Sequence, residues 1–182
     1  LVKVVLVSCG LSILCAVGVI DDAYNLLPGW KLLAQIGASI PIVMAGYGIY
    51  KLNIFDWHLP LGPVGFLISM VWLVACTNAV NLIDGMDGLC STVALCIAAG
   101  VTAIAFLSVA ANTAVCAAAF SGAIAGFLIY NLPPAKIYLG DAGSMVIGMT
   151  LGLISMRIAQ PGTSGTHVFI MLALMGVPLG DV

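Results

Sequence analysis

Glutamate is absent from this 182-residue chain, and charge of either sign is scarce: seven Asp stand against five Lys and Arg, 7% of residues in all. A soluble domain carries about a quarter charged residues, so a water-soluble globule is excluded. The net charge is -2 and no basic stripe occurs, which excludes a nucleic-acid partner. Six cysteines are present without a C-x-x-C pair or a nearby histidine, and His58 and His167 lie far apart, so a zinc centre is not expected. The cysteines are read as small buried hydrophobes. What the chain does have is apolar residues, 63% of the total, with a mean hydropathy of +1.23.

Those residues fall into runs of roughly 20, the length that crosses about 30 Å of hydrocarbon. Seven spans are expected, over 4–20, 32–50, 64–80, 89–111, 113–132, 143–159 and from His167 onward. The expected fold is therefore an all-α, polytopic membrane helix bundle, with the lipid bilayer as a partner. The chain starts on Leu1 and stops inside an apolar run, so it is read as an internal piece of a longer protein forming a single membrane domain over 1–182. Gly122-x-x-x-Gly126 and Gly148-x-x-x-Gly152 are expected packing seams, and Pro41 and Pro178 expected kinks. Helix alternation puts Asp21, Asp22, Asp84, Asp87, Asp141 and Asp181 on one side of the membrane and Asp56 on the other.

Carboxylates are what a membrane protein has no structural reason to keep. One at the centre of a membrane helix costs roughly 2.5–3.5 kcal/mol, so these belong at a surface or in a wet cavity. Asp21 and Asp22 end an apolar run, where the helix dipole disfavours negative charge. Two adjacent carboxylates about 4 Å apart also repel by roughly 4 kcal/mol at an effective dielectric of 20. That pair reads as one held near a cation or sharing a proton, with one member able to act as a base. In Asn78-Ala-Val-Asn81-Leu-Ile-Asp84-Gly85-Met-Asp87-Gly88, the residues Asn81, Asp84 and Asp87 recur every third position, and the glycines let backbone approach a ligand. Oxygen donors without Cys or His suit a hard cation such as Mg2+. Between Asn131 and Ser144 lie Lys136, Gly140, Asp141 and Gly143; a helix is expected to start at about Ser144 with its amides free to face a phosphate.

Together these three segments resemble the polyprenyl-phosphate N-acetylhexosamine-1-phosphate transferases, glycosyltransferase family 4, from Val17-Gly-Val-Ile-Asp21-Asp22 to Pro178-Leu-Gly-Asp181. The short link from Asp22 to Lys31 is closer to the branch using UDP-GlcNAc than to the phospho-MurNAc-pentapeptide branch. The resemblance implies transfer of GlcNAc 1-phosphate, or another N-acetylhexosamine 1-phosphate, from a UDP-N-acetylhexosamine to undecaprenyl phosphate, releasing UMP. It implies Mg2+ as cofactor, with Mn2+ as the alternative, and a bacterial inner membrane enzyme of about ten helices whose active site faces the cytoplasm. Position by position, Asp21 and Asp22 match paired aspartates that handle the lipid phosphate and its proton, and Lys31 a lysine that contacts the diphosphate. Asn81 and Asp141 match Mg2+ ligands, and Asp87 contributes on the metal or nucleotide side. Asp84, Gly85, Asn131 and Tyr138 match a uridine pocket. A homodimer is left open, as is a cation- or proton-coupled transporter, which would place its carboxylates near midspan rather than at helix ends.

Overall fold

The computed structural model describes residues 1–54, 57–108, 110–158 and 172–180. Long helices dominate it: α1 (Val2–Tyr24), α2 (Pro28–Ile42), α3 (Gly62–Leu82), α4 (Leu89–Leu107), α5 (Ala111–Asn131) and α6 (Gly140–Ile158), with a short α7 (Gly176–Gly180). α1, α3, α4 and α5 are each long and apolar enough to cross a membrane. The protein is an all-α, multi-pass membrane bundle to which one small hairpin is added. Large apolar side chains such as Val71, Phe106, Val115 and Ile129 point outward, an arrangement that suits lipid and not water.

α6 is the axis of the bundle. Twelve of its nineteen residues are buried, against four of twenty-three in α1. It contributes Ile147, Leu151 and Ile154 to a core shared with α3, α4 and α5, and Met145, Met149 and Met156 to one shared with α1, α2 and α3. Surrounded by protein, α6 does not have to be as lipophilic as the outer helices, which is why it carries Asp141 and Arg157 at its ends. Apolar burial does not drive helices together in lipid, so close approach and polar contacts decide the packing. At Gly148 a Cβ would lie 2.7 Å from the Thr77 Cα, and Gly152 abuts Cys76, so this seam joins α6 to α3 as expected. The Trp72 indole reinforces it, donating to Ser155 Oγ at 3.2 Å.

Several expectations need correction. Gly122 and Gly126 face open space, because α5 packs on α4 through Ala117 and Ile124 on another side. α4 ends at Leu107 and α5 begins at Ala111, so Asn112 lies inside α5 and does not separate the two. The second span does not run to Tyr50 as one helix. Regular α2 ends at Ile42, next to Pro41, and passes into a π-helical turn, Val43–Tyr47, with Gly46 at φ 86°. An antiparallel hairpin follows, β1 (Lys51–Ile54) pairing with β2 (Trp57–Pro60) in the register Lys51 to Pro60. Only Cys76 and Cys90 are buried; Cys9, Cys15, Cys96 and Cys116 point outward. Asp56, His167 and Asp181 lie outside the described residues.

Candidate active site

Asp21 and Asp22 sit in the last turn of α1, which Asn25 closes in the left-handed conformation (φ 50°). Asp21 is 2% exposed. Its Oδ1 accepts the Leu26 N–H at 2.7 Å, and its Oδ2 pairs with the ammonium of Lys31, in the first turn of α2. Lys31 reaches onward to Asp141 Oδ2 at 2.6 Å. Asn81, at the end of α3, donates from Nδ2 to Asp141 Oδ1 at 2.8 Å and to Ser144 Oγ at 2.8 Å. Four helices thus meet in one network of Asp21, Lys31, Asp141, Asn81 and Ser144. Below it, Gln35 and Asn78 exchange side-chain amide bonds at 3.2 and 2.6 Å, tying α2 to α3.

Beside this network lies a cavity of about 370 Å³. Nine of the twelve residues singled out from sequence line it: Asp21 and Asp22 from α1, Asp84, Gly85 and Asp87 from the α3–α4 turn, Asn131 from the end of α5, and Tyr138, Gly140 and Asp141 from the α5–α6 connection. The other three, Lys31, Asn81 and Ser144, stand behind Asp141 in the network just described. Asn25, Met86 and Leu139 complete the lining and were missed. Of these, Asn25 carries a sequence signal, since Asn tolerates the left-handed conformation at a helix end.

The walls are held together by side chains bonding to backbone. Asn131, 4% exposed, accepts from Ser91 Oγ at 2.8 Å and from the Gly88 N–H at 3.2 Å, and donates to the Ile137 carbonyl at 3.0 Å. Its polar atoms shape the pocket by clamping three segments. Gly88, at φ 75°, lets α4 start directly under that clamp. The every-third-residue spacing of Asn81, Asp84 and Asp87 is not one continuous helical face. Asn81 ends α3 and turns to Asp141, whereas Asp84 and Asp87 belong to the following turn, Asp87 accepting the Ala135 N–H at 3.0 Å. Tyr138 is 75% exposed and presents a free ring at the cavity rim.

The start of α6 differs from expectation. The helix begins at Gly140, not near Ser144, and its first amides are not free for an anion. The Asp141 N–H donates to Asp22 Oδ1 at 2.7 Å and the Ala142 N–H to Asp22 Oδ2 at 3.3 Å. Ser144, fully buried one turn inside the helix, donates to the Gly140 carbonyl at 3.0 Å and does not reach the cavity.

Five carboxylates and one nearby ammonium leave an excess of negative charge. Asp84 registers it: half-burial, then the charge of Asp141 and to a smaller extent that of Asp22, push its carboxyl up to about 6, with a Cys90 contact opposing. Among the described residues no three acidic, histidine or cysteine side chains stand close enough to hold an ion jointly. Of the three metal ligands expected, Asn81 and Asp141 touch, while Asp87 is held on another wall.

Comparison with known proteins agrees with this arrangement. Over 180 residues, 96% of the chain, it is 31% identical to a probable undecaprenyl-phosphate N-acetylglucosaminyl 1-phosphate transferase of Bacillus subtilis (strain 168), of which it covers 49%. It is also 31% identical over 154 residues to the phospho-N-acetylmuramoyl-pentapeptide-transferase of Moorella thermoacetica, and 34% identical over 164 residues to that of Streptococcus suis. Those matches cover 82% and 84% of the chain, and 48% and 49% of the two relatives. The chain thus spans about half the length of the curated relatives it matches. Residues 4–159 match glycosyl transferase family 4, and with its aspartates gathered around one cavity at the helix ends, the chain belongs to that family.

Proposed function

We propose that the protein of which this chain forms part transfers N-acetylglucosamine 1-phosphate from UDP-GlcNAc to undecaprenyl phosphate, releasing UMP. The observation that carries this reading is the convergence of Asp21, Asp22, Asp84, Asp87 and Asp141, from three separate segments, on one cavity at the ends of membrane helices. A lipid phosphate and a soluble nucleotide sugar meet only at such a boundary. A transporter would need its carboxylates along a path through the membrane. In the reaction a lipid phosphate oxygen attacks the sugar-bearing phosphorus, a new P–O bond forms, and the bridging P–O bond breaks with its electron pair leaving on UMP. Such transfers need charge neutralisation and alignment more than a protein nucleophile.

Lys31 would contact the diphosphate, and its placement between Asp21 and Asp141 orients the ammonium. The carboxyl pair Asp21 and Asp22 would stand on the side of the acceptor phosphate, with one member able to accept its proton. Tyr138 would stack on uracil, with Asp84, Gly85 and Asn131 forming the rest of that pocket and Gly140 on the phosphate side, while Ser144 would act only from behind, through its bond with Asn81. The donor set is oxygen only and in charge excess, which fits a hard divalent cation, Mg2+ or Mn2+. Asp141, with Asn81 behind it, and Asp87 from the other wall would face it across the cavity, and when bound it would neutralise diphosphate charge. The bilayer would be the bacterial inner membrane, with the aspartate-rich end in the cytoplasm and 1–182 forming a single transferase domain.

The test is exchange of labelled UMP into UDP-GlcNAc by the full-length protein with undecaprenyl phosphate. Exchange is expected only with Mg2+ or Mn2+, and Asp141→Asn and Asp87→Asn should each abolish it; wild-type rates in both variants would refute the metal assignment. The identities of 31% and 34% to the two pentapeptide transferases favour a second donor, UDP-MurNAc-pentapeptide, to be assayed alongside. Exchange with that donor alone would move the protein to the other branch.

A further inference from the structure

The geometry points to Asp22 as a positioning residue, whose carboxylate caps α6 from a different helix and so holds Asp141 at the cavity. A helix start leaves its first N–H groups without intrahelical partners, and a Ser, Thr, Asp or Asn immediately before the helix ordinarily supplies the missing acceptor. Here Leu139 precedes α6 and Gly140 opens it, so the local chain offers no side-chain oxygen. Asp22 supplies it from the end of α1, one carboxylate oxygen to the Asp141 N–H at 2.7 Å and the other to the Ala142 N–H at 3.3 Å.

Two glycines on opposite sides of the contact make this approach possible. Gly140 has φ 66°, and a Cβ there would lie 2.7 Å from an Asp22 oxygen. Gly18, one turn earlier on α1, would bring a Cβ to 2.3 Å from the Ala142 Cα. A side chain at either position would push α1 and α6 apart and break the cap. With both Asp22 oxygens turned to backbone N–H groups, α6 is set so that Asp141 meets Lys31 and Asn81. Asp22 therefore acts through Asp141 and not on the substrate. In giving Asp141 a role in turnover this inference rests on the proposed function.

The test uses the full-length protein in nanodiscs, comparing wild type, Asp22→Asn and Asp22→Ala. Asn keeps the shape and one acceptor oxygen; Ala keeps neither. Hydrogen exchange of peptides covering 138–146 reports the cap directly, and UMP exchange against pH and Mg2+ reports its consequence. Asp22→Asn is expected to lose about tenfold in rate, the size of one lost cap bond, with wild-type pH limbs and slightly faster amide exchange. Asp22→Ala should lose about a hundredfold, need more Mg2+, and expose the start of α6 to exchange. If Asp22→Asn is as inactive as Asp22→Ala while 138–146 stays as protected as in wild type, the positioning role is overturned and Asp22 acts on substrate. Should Asp22→Ala fail to fold, Asp22→Asn decides by the same two readouts. A wild-type protein inactive in UMP exchange would refute the functional reading alone, and the protection of 138–146 would still decide whether Asp22 holds α6.

Discussion

The two walls of the cavity are built on different principles. On the wall made by α1, α2 and α6, each carboxylate is matched by donors: Asp21 by Lys31 and the Leu26 N–H, Asp22 by two α6 amides, Asp141 by Lys31 and Asn81. On the wall made by the α3–α4 turn, Asp84 carries charge that its surroundings disfavour and Asp87 accepts one N–H at an exposed position. The matched wall is set before any ligand arrives, whereas the other carries charge that a ligand or cation would have to relieve. Preorganised charge of the first kind is what stabilises a phosphoryl-transfer transition state.

The comparison breaks most severely at Lys31. Lys31→Met leaves Asp21, 2% exposed, with no cation beside it. Removing one partner of such a pair is strongly destabilising; since the lysine side chain is 27% exposed, a loss of about 2–3 kcal/mol is expected by thermal melting. UMP exchange should fall about 100-fold or more, because a charge-stabilising donor is gone. Wild-type activity in that variant would show that the network is scaffolding only.

A smaller effect is expected at the rim. Tyr138→Ala should raise the KM for UDP-GlcNAc about tenfold, the worth of one base stacked on an aromatic ring, while Tyr138→Phe stays near wild type. An unchanged KM for Tyr138→Ala would remove the tyrosine from the nucleotide side.

The smallest effect isolates the unmatched charge. Asp84 holds its proton up to about pH 6 in the folded protein, against 3.8 ordinarily. Between those values the folded state binds more protons than the unfolded one, so raising the pH through this window costs the wild type stability. Asp84→Asn lacks that cost. Its stability relative to wild type should therefore rise from pH 4 to pH 6 and then level off, with a total gain of about 1 kcal/mol once screening at a half-exposed site is allowed for. Melting curves across that range check it, and a difference independent of pH would mean Asp84 is already matched.

Which parts were legible in the sequence follows from the range of the forces involved. Apolar run length reports membrane crossing because the bilayer has a fixed thickness, so α1, α3, α4 and α5 were foreseen to within a few residues. The α4–α5 turn was misplaced because Ser108, where α4 ends, is a weaker polar mark than Asn112, and the hairpin was unforeseen because pairing between β1 and β2 leaves no periodic trace in four-residue strands. The aspartates stood out because carboxylates are costly in a membrane, and nine of the twelve candidates line the cavity. Partners were another matter. Neither the Asn131 clamp on Gly88 and Ser91 nor the Gln35–Asn78 exchange leaves a local signature, since each joins residues about forty positions apart.

By itself the sequence determined that this is a membrane bundle and that its acidic residues gather at helix ends, since hydrophobic length and the cost of buried charge are local properties of the chain. Only the tertiary structure decided what each carboxylate does there. A side chain at the end of α1 reaches the first amides of α6, closing an interval of 119 residues, because glycines at 18 and 140 allow the two backbones to touch. Helix capping is ordinarily a matter between neighbours in sequence, and here the missing acceptor comes from across the bundle.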